Sequence, residues 1–374
     1  MQPTRMIAAE NPTFTVRSLL IATLGVAIHL LGVRQFGVCA ERPLLIRHID
    51  VGHGDATLIV APDGESLLVD GGSNHQGQRI VVPLIRGLGI GALDFVLATH
   101  YDSDHIGGLD EVIRELEPAQ SVLDRGGSAE RDQRSFEAYA DQAAQKRKKI
   151  EPGETINLGS AVRVTCVAAG GRILGGSSVF LDGTSENAAS VALVVQYKQF
   201  DYFIGGDLTG GGRSGARRTA DVESVLAPVV GDVDVVKLNH HGGASSSNKR
   251  FLTALRPEVG VISVGNGGAN RSRYRYPSRD ALNRILAQSS FQAIFMTNRG
   301  ETRGGLSPQD LALIRIADGD IVITTNGLRY QVNGMTFACD GQTSLPPSGR
   351  PRFREQIDKV RPSLKRAKVR EDLK

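Results

Sequence analysis

Thr99-His100-Tyr101-Asp102-Ser103-Asp104-His105-Ile106-Gly107-Gly108 places four side chains able to bind a cation, His100, Asp102, Asp104 and His105, within six consecutive positions. The run Phe95 to Ala98 before it is short and continuously apolar, which reads as a buried strand. The segment Gly107 to Leu116 after it has helical spacing. The motif therefore sits on a strand-to-helix loop, with Gly107 and Gly108 letting the chain turn tightly. Divalent metals need deprotonated oxygen and nitrogen donors converging at about 2 Å, and this loop offers both kinds.

Working outward, Leu44 to Ile49, Ala56 to Val60 and Ser66 to Val69 read as strands, with Pro62-Asp63-Gly64 turning between the last two. Strands return at Val162 to Val167, Val191 to Tyr197 and Tyr202 to Ile204. Strand and helix then alternate: Val233 to Leu238 with Lys249 to Leu255, Val259 to Val264 with Ser278 to Gln288, then Ala293 to Met296. Ile321 to Thr325 and Leu328 to Val332 form a hairpin around Asn326-Gly327. The charged stretch Gly126 to Lys149 reads as a surface helix with flanking loop. The expected architecture is α/β, two mixed sheets flanked by helices with loops gathered at one edge. No solenoid repeat is visible, and no nucleophile elbow or phosphate loop competes with the metal motif.

The His100 motif resembles the HxHxDH signature of the metallo-β-lactamase superfamily, in the variant with Asp at the second histidine. That variant is typical of the nuclease-like C-terminal domain of ComEC-type DNA-uptake competence proteins. Asp50-Val51-Gly52-His53-Gly54-Asp55-Ala56 is similar to that subgroup's DVGQGDA, and Leu68-Val69-Asp70-Gly71-Gly72 to its LIDGG. Gly206-Asp207-Leu208 resembles its GDL and His240-His241-Gly242 its HHGS. The resemblance runs over residues of about 45 to 330 and implies an αββα metallo-β-lactamase sandwich, assigned here to 41–338.

It also implies a centre of two divalent ions, zinc or manganese. Asp104, His105 and His241 would hold one ion, His100 and Asp102 the other, and Asp207 would bridge them. The histidine that completes the second position in the superfamily is missing from Ser185-Glu186-Asn187-Ala188-Ala189-Ser190, so Glu186 or Asn187 fills in or the position stays open. Such an oxygen-rich position leans towards manganese or magnesium. Asp104 and His241 are the expected catalytic groups, Asp104 orienting a metal-bridging hydroxide, the nucleophile such centres generate. His240, His53 and Asp55 are expected either as further metal ligands or as groups behind and beside them, and Asp70 as a carboxylate that fixes the loop beneath the site. Asn270 to Pro277 departs from the subgroup's NxYGHP, with Tyr276 in place of a histidine. Tyr276 and Arg273, with Arg271 and Arg275, are candidate substrate contacts.

The function expected on this resemblance is metal-dependent hydrolysis of phosphodiesters, in DNA or RNA. Hydrolysis of a small ester, lactone or β-lactam on the same fold is the alternative, because fold alone does not choose a substrate. A non-catalytic binding protein is the third reading. A net charge of +4 over 374 residues is small and argues against a dedicated nucleic-acid binder across the whole surface. The basic excess is local: ten Lys and Arg between Arg350 and Lys374, interleaved with prolines, read as a disordered tail over 339–374. At the other end, Leu19 to Val33 is short for a membrane span but suits a secretory signal, with Val38 and Ala40 as a cleavage pattern. Residues 1–40 are thus expected to meet a membrane or the export machinery, giving an exported or anchored protein. Cys166 and Cys339 lack metal-ligand spacing, and no protein partner is expected.

Overall fold

Side chains alternate between two apolar environments along the central strands of the computed structural model, which describes residues 42–129, 131–181, 186–214, 217–266 and 275–339. Ile59, Leu67, Val69 and Leu97 from one sheet meet Val164, Cys166, Leu193, Val195 and Tyr202 from another in a common core. Their neighbours Leu58, Leu68 and Val96 face the opposite way, onto Ile85, Leu109, Val112 and Leu116 of the helices Val82–Gly87 and Leu109–Leu116. On the far side, Val194, Phe203 and Val236 pack on Val222, Leu226, Phe251 and Leu252 of the helices Val222–Val230 and Lys249–Leu255. A period of two with both phases apolar demands a covered sheet on each face, and three stacked apolar interfaces give the expected helix–sheet–sheet–helix order.

The first sheet runs, in spatial order, Met335–Ala338, Arg329–Val332, Ile321–Thr325, Leu44–His48, Thr57–Val60, Ser66–Val69, Phe95–Leu97, Ser121–Asp124 and Arg147–Lys149. The second runs Ile314–Ile316, Ala293–Met296, Val259–Ile262, Val235–Lys237, Phe200–Ile204, Ala192–Tyr197, Val162–Ala169 and Thr155–Leu158. Both are mixed. Ser66–Val69 and Phe95–Leu97 pair in parallel with Val69 opposite Leu97, and Phe200–Ile204, Val235–Lys237 and Val259–Ile262 form a second parallel run with Lys237 opposite Val261. Parallel neighbours end at the same edge, so the loops after them are brought together, and that edge is where ligands bind in such sheets.

Two elements differ from the sequence expectation. Arg147–Lys149 is an edge strand parallel to Ser121–Asp124 rather than helix or loop. Arg147 closes on buried Asp124 at 2.6 Å, while Lys148 and Lys149 stay exposed, as befits a charged sheet edge with no apolar periodicity to betray it. The segment after Phe95–Leu97 also begins its helix early: Ser103–Ile106 is already helical, so Asp104 and His105 stand on a helical turn and not on the loop proper. Residues 1–40, the tail from 340 and the candidate contacts Arg271 and Arg273 lie outside the described residues. Among the described residues no helix is long and apolar enough to cross a membrane.

Candidate metal centre

Five strand ends deliver the centre. Val69 leads to Asp70, Leu97 to the His100 motif, Ile204 to Gly206-Asp207, Lys237 to His240-His241, and Ile262 to Ser263. The turns are tight enough to be strained: Asp70, His240 and His241 all have positive φ, at 60°, 51° and 51°. Non-glycine residues held there cost about 1–3 kcal/mol each, a cost that clusters at functional sites. Gly54 shows how closely the loops approach, because a Cβ on it would lie 2.3 Å from the Asp104 carbonyl oxygen.

Asp70 organises the histidines from behind. Its Oδ1 accepts the Thr99 backbone N–H at 2.8 Å, and its Oδ2 accepts the Thr99 hydroxyl and His105 Nδ1–H, both at 2.8 Å. The Thr99 hydroxyl, its proton given to Asp70, accepts from His100 Nδ1 at 3.0 Å. His241 Nδ1 donates to the Ser263 carbonyl at 2.9 Å. Each imidazole is thereby fixed with its proton on Nδ1 and its Nε2 lone pair turned inward, the arrangement that metal-binding histidines require.

On that inner face the acids converge. His105 Nε2 is 3.4 Å from Asp207 Oδ1, and His241 Nε2 is 3.4 Å from Asp104 Oδ2 and 3.6 Å from Asp207 Oδ2. His53 Nε2 reaches Asp104 Oδ2 at 3.3 Å. Donor atoms of Asp55, His105, Asp207 and His241 lie within 4.8 Å of one another, as do those of His53, Asp104 and His241. The Nε2 atoms of His100, His105 and His241 and Oδ1 of Asp207 are buried with no hydrogen-bond partner. An orphaned buried polar atom costs about 1–3 kcal/mol, so four together mark donors shaped for a ligand other than protein. Nitrogen and carboxylate donors in this mixture fit a divalent cation.

The charges say the same. Burial works against ionised Asp104, yet His105, His241 and His53 outweigh it and hold the carboxyl well below the usual range. Burial likewise opposes charge on Asp207, where His241, His105 and His240 win. His105 and His241 are raised, burial being overcome chiefly by Asp207. The cluster attracts positive charge from any source. One cation is already built in: Lys237, wholly buried, sits 2.5 Å from Asp55 Oδ2 and donates to the Gly206 carbonyl at 3.1 Å. Asp55 in turn lies 3.7 Å from His105 Nδ1 and 4.0 Å from His241 Nδ1, on the side away from the inward lone pairs. Its geometry makes it a supporting carboxylate committed to Lys237, although its atoms are close enough to count within the cluster.

The remaining expected residues divide. His240 stands beside the cluster, Nε2 at 3.6 Å from Asp207 and 2.7 Å from the Tyr276 hydroxyl. Tyr276 stacks on His53 with ring centres 5.5 Å apart, so these three rings form one wall; burial and His241 bring His53 down to about 4. His100 Nε2 has Asp102 Oδ2 at 3.7 Å, and Asn187 reaches Asp207 Oδ2 at 3.3 Å. Glu186 is committed elsewhere: Arg125 donates to both its oxygens at 2.8 Å, and Oε1 also accepts the Tyr101 N–H at 3.0 Å. Arg275 is exposed. Sequence reading passed over Thr99, Arg125 and Lys237. Only Lys237 carried a signal, a lone cation in the apolar run Val233-Asp234-Val235-Val236-Lys237-Leu238.

Comparison with known proteins finds a family and several relatives. The family model described as metallo-beta-lactamase superfamily matches residues 49–265. ComE operon protein 3 of Bacillus subtilis is 24% identical over 76% of this chain and 36% of its own length. Recombination protein 2 of Haemophilus influenzae is 23% identical over 72% of this chain and 30% of its own. The chain thus spans about a third of the length of these curated relatives. Among solved structures, the metallo-beta-lactamase fold protein YhfI of Bacillus subtilis is similar at 13% identity and a TM-score of 0.41, over 76% of this chain and all of that one.

Proposed function

This chain belongs to the metallo-beta-lactamase superfamily, and from that membership we propose that it is a metal-dependent phosphodiesterase acting on DNA or RNA, exported or anchored through residues 1–40. The observation that carries the cation-dependent part is the set of four orphaned donors, His100 Nε2, His105 Nε2, His241 Nε2 and Asp207 Oδ1, facing one another in a buried site. His105, His241, Asp104 and Asp207 would hold one zinc or manganese ion; His100 and Asp102, sharing Asp207 and aided by Asn187, would hold another. Such ions supply Lewis acidity and make water a nucleophile near neutral pH.

The chain's own groups do the rest. Asp104, kept ionised by its histidine neighbours, accepts a hydrogen bond from the attacking water and so orients it. His241, locked by the Ser263 carbonyl, keeps its Nε2 turned to the side where Asp104 stands. The wall formed by His53, Tyr276 and His240 offers a ring face and a hydroxyl to a substrate. Arg273 and Arg275, near Tyr276 in sequence, are suited to phosphate oxygens. The name of the Haemophilus influenzae relative, a recombination protein, supports a nucleic-acid substrate over a small ester.

The test is a substrate panel for the full chain with Mn²⁺ or Zn²⁺: a chromogenic phosphodiester, single-stranded DNA, RNA, a lactone and a β-lactam. Chelator-sensitive turnover of the phosphodiester and of nucleic acid, falling as salt rises for the polymers, is the expected result. Turnover of the lactone or β-lactam alone would move the assignment to small esters and amides.

A further inference from the structure

The two halves of the centre are not built alike. Around His105 and His241, two imidazole lone pairs, Asp104 and Asp207 close on one another at 3.4 to 3.6 Å, inside a shell where His105, His241 and Asp207 are buried. On the His100 side, the carboxylate that approaches the inward Nε2 within 4.0 Å among the described residues is Asp102, at 3.7 Å, and Asp102 is partly exposed. The neighbouring acid that would complete that half, Glu186, has its carboxylate committed to Arg125 and the Tyr101 N–H. Arg125 itself lies over the Tyr101 ring at 4.1 Å, which anchors the bridge to the core. Pulling Glu186 out would break a buried ion pair, so it is not a reserve ligand. What remains is Asn187, whose amide N–H donates to Asp207 Oδ2 at 3.3 Å and which therefore presents no lone pair there.

We infer that the two cation positions are unequal: the His105–His241 position binds its ion tightly on protein donors alone, and the His100–Asp102 position stays weak until an oxygen of the substrate joins it. This rests on reading the cluster as a cation site and deepens that reading. Fewer protein donors lower the affinity of the open position, and a carboxylate in place of an imidazole suits a harder ion such as Mn²⁺. An open coordination position is also what a catalytic site keeps for its substrate.

The test is calorimetric titration of the metal-free full chain with Mn²⁺, without substrate, with bound metal counted by elemental analysis. One tight equivalent followed by a second at least about tenfold weaker is expected. His100→Ala should remove the weak step and spare the tight one. Asn187→His, which restores an imidazole at the open half, should strengthen the weak step by about tenfold or more; this variant retains the reading's falsifiability if His100→Ala fails to fold. Two equivalents of matching affinity, or an Asn187→His chain with an unchanged second step, would overturn the inference while leaving a cation-dependent centre intact. No binding at all would overturn the centre itself.

Discussion

Replacing Lys237 with Met tests whether the centre depends on its internal cation. Lys237 is wholly buried, 2.5 Å from Asp55, and Asp55 is itself 1% exposed. Burial pushes the Asp55 carboxyl up, but Lys237, His241 and His105 together outweigh burial and keep the group ionised. Met fills the space of the aliphatic stem and removes the charge, leaving Asp55 without its counter-ion among buried acids. Breaking one side of a buried pair costs about 3–5 kcal/mol. For a chain of this size that is a fall in Tm of about 5 °C. Urea unfolding of the full chain in chelator would be compared across wild type, Lys237→Met, Asp55→Asn and the double variant. The double should lose less than the two singles combined, with a coupling of about 2 kcal/mol or more, because it leaves no orphaned carboxylate. A Lys237→Met chain within about 1 kcal/mol of wild type would refute the argument.

Other consequences are equally concrete. His48 is buried between the Thr57 and Tyr202 hydroxyls at 3.2 and 3.3 Å, and burial foremost lowers it from 6.5 to about 3. Its folded value lies below its unfolded one, so the stability it contributes is present above 6.5 and drains away as pH falls towards 3; urea midpoints between pH 5 and 7.5 should lose about one proton's worth of slope in His48→Gln. Glu223 shows the opposite sign. Burial raises it from 4.5 to about 7 despite three N–H donors, so its contribution is full below 4.5 and lost as pH rises through 7. Glu223→Gln should erase that trend in the pH profile of Tm whatever its constant offset. Gly54→Ala drives a Cβ against the Asp104 carbonyl at a φ of +126°; calorimetry should find the tight cation step weakened at least about tenfold and the fold destabilised by about 2 kcal/mol or more.

The fold was legible where apolar spacing was regular. Ser66–Val69, Ala293–Met296 and Ile321–Thr325 end where their side-chain patterns end, the first two covered on both faces and the third alternating a buried face with a partly exposed one. Arg147–Lys149 was not legible, since an edge strand stabilised by the Arg147–Asp124 contact needs no apolar pattern. The clustered donors of the His100 motif could be read because so many ligand types in so short a span have few other uses. Thr99, by contrast, is an ordinary strand-end residue whose role comes from Asp70, 29 positions away in the chain. The commitment of Glu186 was hidden for the same reason: Arg125 lies 61 positions earlier, and only the folded sheet brings it near. Lys237 could have been suspected, since a lone cation in a buried run must have an acid opposite it.

The central claim, that Asp104, His105, Asp207 and His241 form a cation-dependent hydrolytic centre for phosphodiesters, is tested most directly by one comparison. Wild-type full chain and Asp104→Ala are assayed on a phosphodiester and on single-stranded DNA, each with chelator and with added Mn²⁺ or Zn²⁺, folding being checked by circular dichroism. The account predicts turnover by wild type only with metal, and a loss of at least about 100-fold in the folded variant. Equal turnover by the two proteins, or wild-type turnover undiminished by chelator, would contradict it.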